Sequence, residues 1–180
     1  MVFEEADLKG FFVIKPELWA DERGFFTRSF CQREFEAHGL NPRVVQCSIS
    51  FNHRKGTLRG MHFQGPPHVE VRLVRCTRGA AYDVILDLRA DSPTFGRWVA
   101  TELTDENRWA VYVPAGFAHG YQTLEDGTEL TYQMSEFYDP AAASGIRWDD
   151  PAFGITWPAA VRTISPKDLS YPDFTWQSVF

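Results

Sequence analysis

Two stretches carry side chains suited to proton transfer and anion binding. Gly56-Thr57-Leu58-Arg59-Gly60-Met61-His62-Phe63-Gln64 sets a guanidinium and an imidazole among apolar neighbours. Val113-Pro114-Ala115-Gly116-Phe117-Ala118-His119-Gly120 holds a second imidazole beside a glycine. Imidazole is the side chain whose ordinary pKa lies nearest neutrality, so it can take or give a proton at physiological pH. Guanidinium stays charged and grips oxyanions with two prongs. An imidazole in apolar surroundings needs a partner for each ring nitrogen, whether it serves the core or a reaction. His38 and His53 lie in polar stretches and read as surface residues; His68, just after Pro66-Pro67, is open to either role.

A metal centre is the other chemistry these residue types allow. His62, His68, Glu70 and His119 are the donor types a β-barrel uses to bind a transition ion. The compact His-x-His pair is missing, because Phe63 and Gln64 follow His62, so no metal site is expected.

The elements that position these residues read as strands. Residues 10–15, 25–30 and 44–51 form early apolar runs, with a short helix over 31–39 anchored by Phe35 and closed by Gly39. Strands follow at 57–63, 69–76, 81–88, 98–103, 109–113, 120–124 and 129–134, separated by Gly, Pro, Asn and Asp turns. Short strands at about ten-residue intervals point to a sandwich or barrel rather than to alternating strand–helix units. The last 40 or so residues, rich in Pro, Trp and Asp, read as irregular coil over the body. Without repeats or linkers, residues 1–180 read as a single domain.

Side-chain parity sharpens two points. In 69–76, Glu70 and Arg72 share a face with the preceding His68, opposite Val69, Val71 and Leu73. In 57–63, a regular strand sends Arg59 and His62 to opposite faces. If both serve one site, a bulge at Gly60 must re-aim one of them.

Composition sets outer limits. The net charge of −6 argues against a nucleic-acid partner. Cys31, Cys47 and Cys76 have no metal spacing, and their odd number argues against a disulfide framework. No apolar run approaches the ~20 residues of a membrane span, and the N-terminus lacks the basic and apolar regions of a signal peptide. A cytoplasmic protein without membrane contact is expected.

Six motifs then follow in order: Gly56 to Gln64; Asp83-Val84 with Asp87-Leu88-Arg89; Ser92-Pro93-Thr94-Phe95-Gly96; Val113 to Gly120; Gly145-Ile146-Arg147-Trp148 with Asp150-Pro151; and Ser165-Pro166-Lys167-Asp168. With them the sequence closely resembles the dTDP-4-dehydrorhamnose 3,5-epimerase family from about residue 10 to residue 170. The resemblance implies an all-β cupin-type jelly-roll barrel with short helices and an irregular C-terminal segment. It also implies a homodimer, and cofactor-free inversion of carbon 3, carbon 5 or both in a nucleotide-linked 4-keto-6-deoxyhexose. The implied product is dTDP-4-dehydro-L-rhamnose, a precursor of cell-surface polysaccharide.

Roles come with the resemblance, residue by residue. His62 matches the base, Asp168 the carboxylate that orients it, and Tyr132 the acid that reprotonates the opposite face of the sugar. His119 matches a substrate contact, with Asp83 as a supporting partner. Arg23, Arg59 and Gln46 match contacts to the diphosphate and nucleotide, and Phe26 is a candidate for stacking on the base. Three positions depart from the family pattern: Arg72 stands where Lys is usual, and Arg28 and Ala143 where Glu is common. The competing readings are a metal-dependent oxygenase or isomerase built on His62, His68, Glu70 and His119, and a non-catalytic sugar-binding jelly roll.

Overall fold

The computed structural model describes residues 1–175. The strands are β1 (Val2–Glu5), β2 (Phe12–Lys15), β3 (Trp19–Asp21), β4 (Gly24–Phe26), β5 (Gln46–Asn52), β6 (Leu58–Gln64) and β7 (Arg72–Arg78). They continue as β8 (Ala80–Asp87), β9 (Trp98–Thr104), β10 (Ala110–Val113), β11 (Phe117–Thr123), β12 (Thr128–Met134) and β13 (Ala143–Gly145). Two short helices, α1 (Gln32–Ala37) and α2 (Pro166–Leu169), complete the set.

Two antiparallel sheets, ordered β1-β2-β10-β7-β12-β5 and β13-β6-β11-β8-β9, carry the fold, and β3-β4 stands apart as a hairpin. The chain steps from one sheet to the other between β5 and β6, β6 and β7, and β7 and β8. Sequence neighbours therefore face each other across the interior, as in a double-sheet jelly roll. The expected all-β jelly roll with an irregular C-terminal segment is what the chain forms.

Period-two alternation sorts the apolar side chains between three cores. Val74, Cys76, Val111, Val113, Ile85 and Leu130 meet between the sheets. On the far side of the six-stranded sheet, Leu73, Ala110, Tyr112 and Ile14 pack against Phe35 of α1. On the far side of the five-stranded sheet, Met61, Val84, Leu86 and Ala118 are covered by Ile146, Phe153, Trp157 and Phe174. The C-terminal coil is thus a lid on the five-stranded sheet, which explains why β8 and β11 are buried almost throughout. Among the described residues, no helix is long and apolar enough to cross a membrane.

Several local expectations change. The run expected at 25–30 ends as a strand at Phe26, because β4 pairs only with the three-residue β3. The strand expected from 69 begins at Arg72: a turn closed by His68 N–H donating to Gly65 O interrupts it after Pro66-Pro67. β1 and β13 carry no apolar alternation and owe their conformation to pairing with β2 and β6.

Candidate functional site

At one end of the barrel the sheets part around a cavity of about 690 Å³. Seven of the residues given a catalytic or substrate-binding role from the sequence line it: His62, Asp168, Tyr132, His119, Arg59, Arg72 and Gln46.

The bulge expected at Gly60 is present. His119 pairs with His62 and Tyr121 with Arg59, so three steps on β6 oppose two on β11. The extra residue turns Arg59 toward the cavity that His62 also faces. Glycine is required there: φ is +127°, and a Cβ would meet Gly120 Cα at 2.5 Å.

His62 Nε2–H donates to Asp168 Oδ1 at 2.7 Å. Asp168 sits in α2, whose first turn is built by its own sequence: Ser165 caps it by accepting from Asp168 N–H at 3.0 Å, and Pro166 opens it. Gly60 N–H donates to the other carboxylate oxygen at 3.2 Å. Burial opposes ionisation of Asp168, yet the His62 hydrogen bond and charge, with Gly60 and Ser165, prevail and hold its pKa below the ordinary carboxylate range. An ionised carboxylate only accepts, so the proton is fixed on Nε2 and Nδ1 is left with a lone pair. Tyr171 packs edge-on to the ring at 6.4 Å between centroids.

A second dyad lies on the same wall. His119, cross-strand neighbour of His62, donates Nε2–H to Asp83 Oδ2 at 2.8 Å; both side chains are buried. Burial raises the Asp83 pKa against the opposing pull of His119 and Arg72, and among the described residues Asp83 Oδ1 has no hydrogen-bond partner.

Tyr132 comes from β12 in the opposite sheet, its ring edge-on to His119 at 5.8 Å. Burial pushes its pKa well above the ordinary phenol value, and Tyr121 and Asp83 push the same way against Arg72 and Arg59. The phenol is therefore neutral and holds a proton to give. A lone pair on one wall and a phenol on the other can serve opposite faces of a bound carbon.

Arg59 Nε donates to Asn52 Oδ1 at 2.8 Å, and Arg72 Nε to Glu70 Oε1 at 2.8 Å. Gln46, which lines the cavity, accepts from Tyr138 N–H through Oε1 at 3.2 Å. Lys167, Tyr138 and Glu70 also line the cavity. The sequence reading gave no site role to Lys167 or Tyr138, although Lys167 stands beside Asp168 in the same quoted motif.

Arg23 and Phe26 lie elsewhere. Both are on the β3-β4 hairpin; the Arg23 side chain is 84% exposed and paired with Asp21, and Phe26 is 72% exposed and stacked on Trp19. Arg28 pairs with Glu34 at the surface, whereas Ala143 lines the cavity on β13. The four metal-donor candidates have separate partners: His62 with Asp168, His119 with Asp83, His68 with Asp139 at 3.2 Å, and Glu70 with Arg72. Among the described residues no three His, Cys, Asp or Glu side chains are grouped to hold a metal ion.

The family model described as dTDP-4-dehydrorhamnose 3,5-epimerase matches residues 5–175. The protein of that name from Sinorhizobium fredii is 41% identical over 173 residues, covering 96% of this chain and 89% of its own. The crystal structure of the Elizabethkingia anophelis NUHP1 dTDP-4-dehydrorhamnose 3,5-epimerase superposes with a TM-score of 0.94 at 36% identity, over 97% of this chain and 96% of that one. The Bacillus anthracis enzyme, solved with TDP and PPi bound, gives 0.93 at 38% identity, over 96% and 99%.

Proposed function

This chain belongs to the dTDP-4-dehydrorhamnose 3,5-epimerase family, and we propose that its single jelly-roll domain inverts carbons 3 and 5 of a dTDP-linked 4-keto-6-deoxyhexose. The ketone at carbon 4 acidifies the protons on both flanking carbons, because the charge left behind delocalises onto the carbonyl oxygen. That chemistry needs no added cofactor.

His62 Nδ1 takes the proton, and the imidazolium that forms is stabilised by Asp168. The Arg72 guanidinium supplies donors for the enolate oxygen, and His119, its Nε2–H held by Asp83, contacts the sugar from the same wall. Tyr132 returns a proton to the other face of the same carbon. The net change is one C–H bond broken and one formed on opposite faces, with both side chains reset by exchange with solvent. The observation that carries this reading is the placement of His62 and Tyr132 on facing sheets across one cavity, with His62 Nε2 committed to a carboxylate.

Arg59 and Lys167 offer cations for the diphosphate, with Gln46 nearby. Arg23 and Phe26, exposed on their hairpin, reach the nucleotide end of a partner's cavity in a homodimer, which would account for Trp19, Phe25 and Phe26 standing open to solvent in one chain.

Incubation with dTDP-4-keto-6-deoxy-D-glucose, followed by chemical reduction and stereochemical analysis of the sugar, tests the reading. Sugars of the L-series are expected; recovery of D-sugars alone would overturn it.

A further inference from the structure

The cavity holds two guanidiniums whose anchors differ in charge. Arg59 is fixed by a neutral amide: Asn52, only 2% exposed, accepts from Arg59 Nε while donating to Tyr121 Oη at 3.0 Å and Thr128 O at 3.2 Å. Arg59 thus keeps its full charge, with its terminal nitrogens unpaired to any carboxylate among the described residues. Arg72 is fixed by a carboxylate. Its Nε and Nη2 both donate to Glu70 Oε1, and Nη1 donates to His62 O at 3.1 Å. The two side chains are 14% and 9% exposed, so water screens the pair little. A carboxylate in contact cancels most of the guanidinium's potential a few ångströms away, while its N–H groups can still donate.

We propose that Glu70 is a specificity-determining residue that masks the charge of Arg72, so that a diphosphate is drawn to the Arg59 end of the cavity and the uncharged sugar lies at the Arg72 end. The proposal rests on the nucleotide-sugar reading above. Arg72 is bonded to the backbone of the base itself, so a diphosphate captured there displaces the sugar from His62. With Glu70 in place the cavity has one cationic pole and therefore one direction of binding. Without it there are two, and the reversed mode is bound but unreactive.

Titration calorimetry with inorganic diphosphate reads the masking directly on the whole protein. Arg59→Gln weakens binding. Adding Glu70→Gln to that variant restores it by about tenfold or more, the scale of a buried charge contact. Adding Arg72→Gln as a third change removes the gain. Glu70→Gln is close in shape and keeps an acceptor oxygen for Arg72, so the fold is preserved.

In turnover, Glu70→Gln alone lowers kcat and KM by the same factor, because unproductive capture scales both and leaves kcat/KM unchanged. A purely structural role would lower kcat/KM instead. Diphosphate affinity that does not rise on Glu70→Gln, or a gain that survives Arg72→Gln, overturns the proposal. If the wild type turns over no 4-keto sugar nucleotide, the epimerase reading fails, while the diphosphate titrations still decide whether Glu70 masks Arg72.

Discussion

His62 and Asp168 are 106 residues apart in the chain and meet at 2.7 Å through Nε2 and Oδ1. The contact exists because the C-terminal segment is stitched to β6. Leu58 N–H donates to Thr163 O at 2.8 Å, Thr57 bridges Thr163, and Gly60 N–H reaches Asp168 itself. The base is thus oriented by the same coil that covers the five-stranded sheet. Asp168→Asn keeps the volume but removes the charge and frees the tautomer. It is expected to cut kcat by roughly 10²–10⁴-fold with little change in KM, and steady-state kinetics on the 4-keto sugar nucleotide check it.

Gly60 tests the bulge. An alanine there meets Gly120 Cα at 2.5 Å and His119 O at 3.0 Å, in a backbone conformation that L residues rarely adopt. Gly60→Ala is expected to cost at least about 1–3 kcal/mol, seen as a lower urea midpoint, and to reduce activity further by moving Arg59 against His62.

Asp87 anchors the loop between β8 and β9. Although buried, it accepts from Arg89 Nη2 at 2.7 Å, Ser92 Oγ at 2.6 Å and Thr94 Oγ1 at 2.6 Å. Burial works against its ionisation, but these donors prevail and hold its pKa below the ordinary carboxyl value of 3.8. A carboxylate whose pKa is lower folded than unfolded stabilises the fold above the unfolded value, and that contribution is lost as pH falls through the folded one. Asp87→Asn is therefore expected to cost roughly 3–5 kcal/mol at neutral pH, since it also strands Arg89. The gap should hold level down to about pH 4 and narrow only below it, as read by urea denaturation across pH.

The hairpin predicts complementation between subunits. Arg23→Ala and His62→Asn are each expected to be nearly inactive. Co-refolded, they form dimers in which one cavity has His62 from one chain and Arg23 from the other. Activity rising to a substantial fraction of wild type supports hairpin exchange; a mixture no better than its parts shows that Arg23 acts within its own chain or not at all.

The strand succession, the Gly60 bulge and the shared face of Glu70 and Arg72 were legible because each rests on side-chain parity, which local sequence controls. His68 left that face because the Gly65–His68 turn breaks the extended run before β7. Ser165-Pro166-Lys167-Asp168 falls in the stretch that reads as irregular coil, and neither its short helix nor its docking beside β6 was legible, since the docking depends on contacts across the chain. The destination of the β3-β4 hairpin was not legible either, since turn residues specify that Arg23 stands at a tip and say nothing of what the tip meets. β13 has no signature of its own in Ala-Ser-Gly; the unpaired edge of β6 gives it its conformation.

The role of His62 is tested most directly by proton NMR of dTDP-4-keto-6-deoxy-D-glucose in deuterated water. Wild type is expected to incorporate deuterium at carbons 3 and 5 with inversion. Tyr132→Phe should keep exchange but lose inversion, and His62→Asn should incorporate none. Deuterium entering at the wild-type rate with His62→Asn would contradict the assignment of His62 as the base.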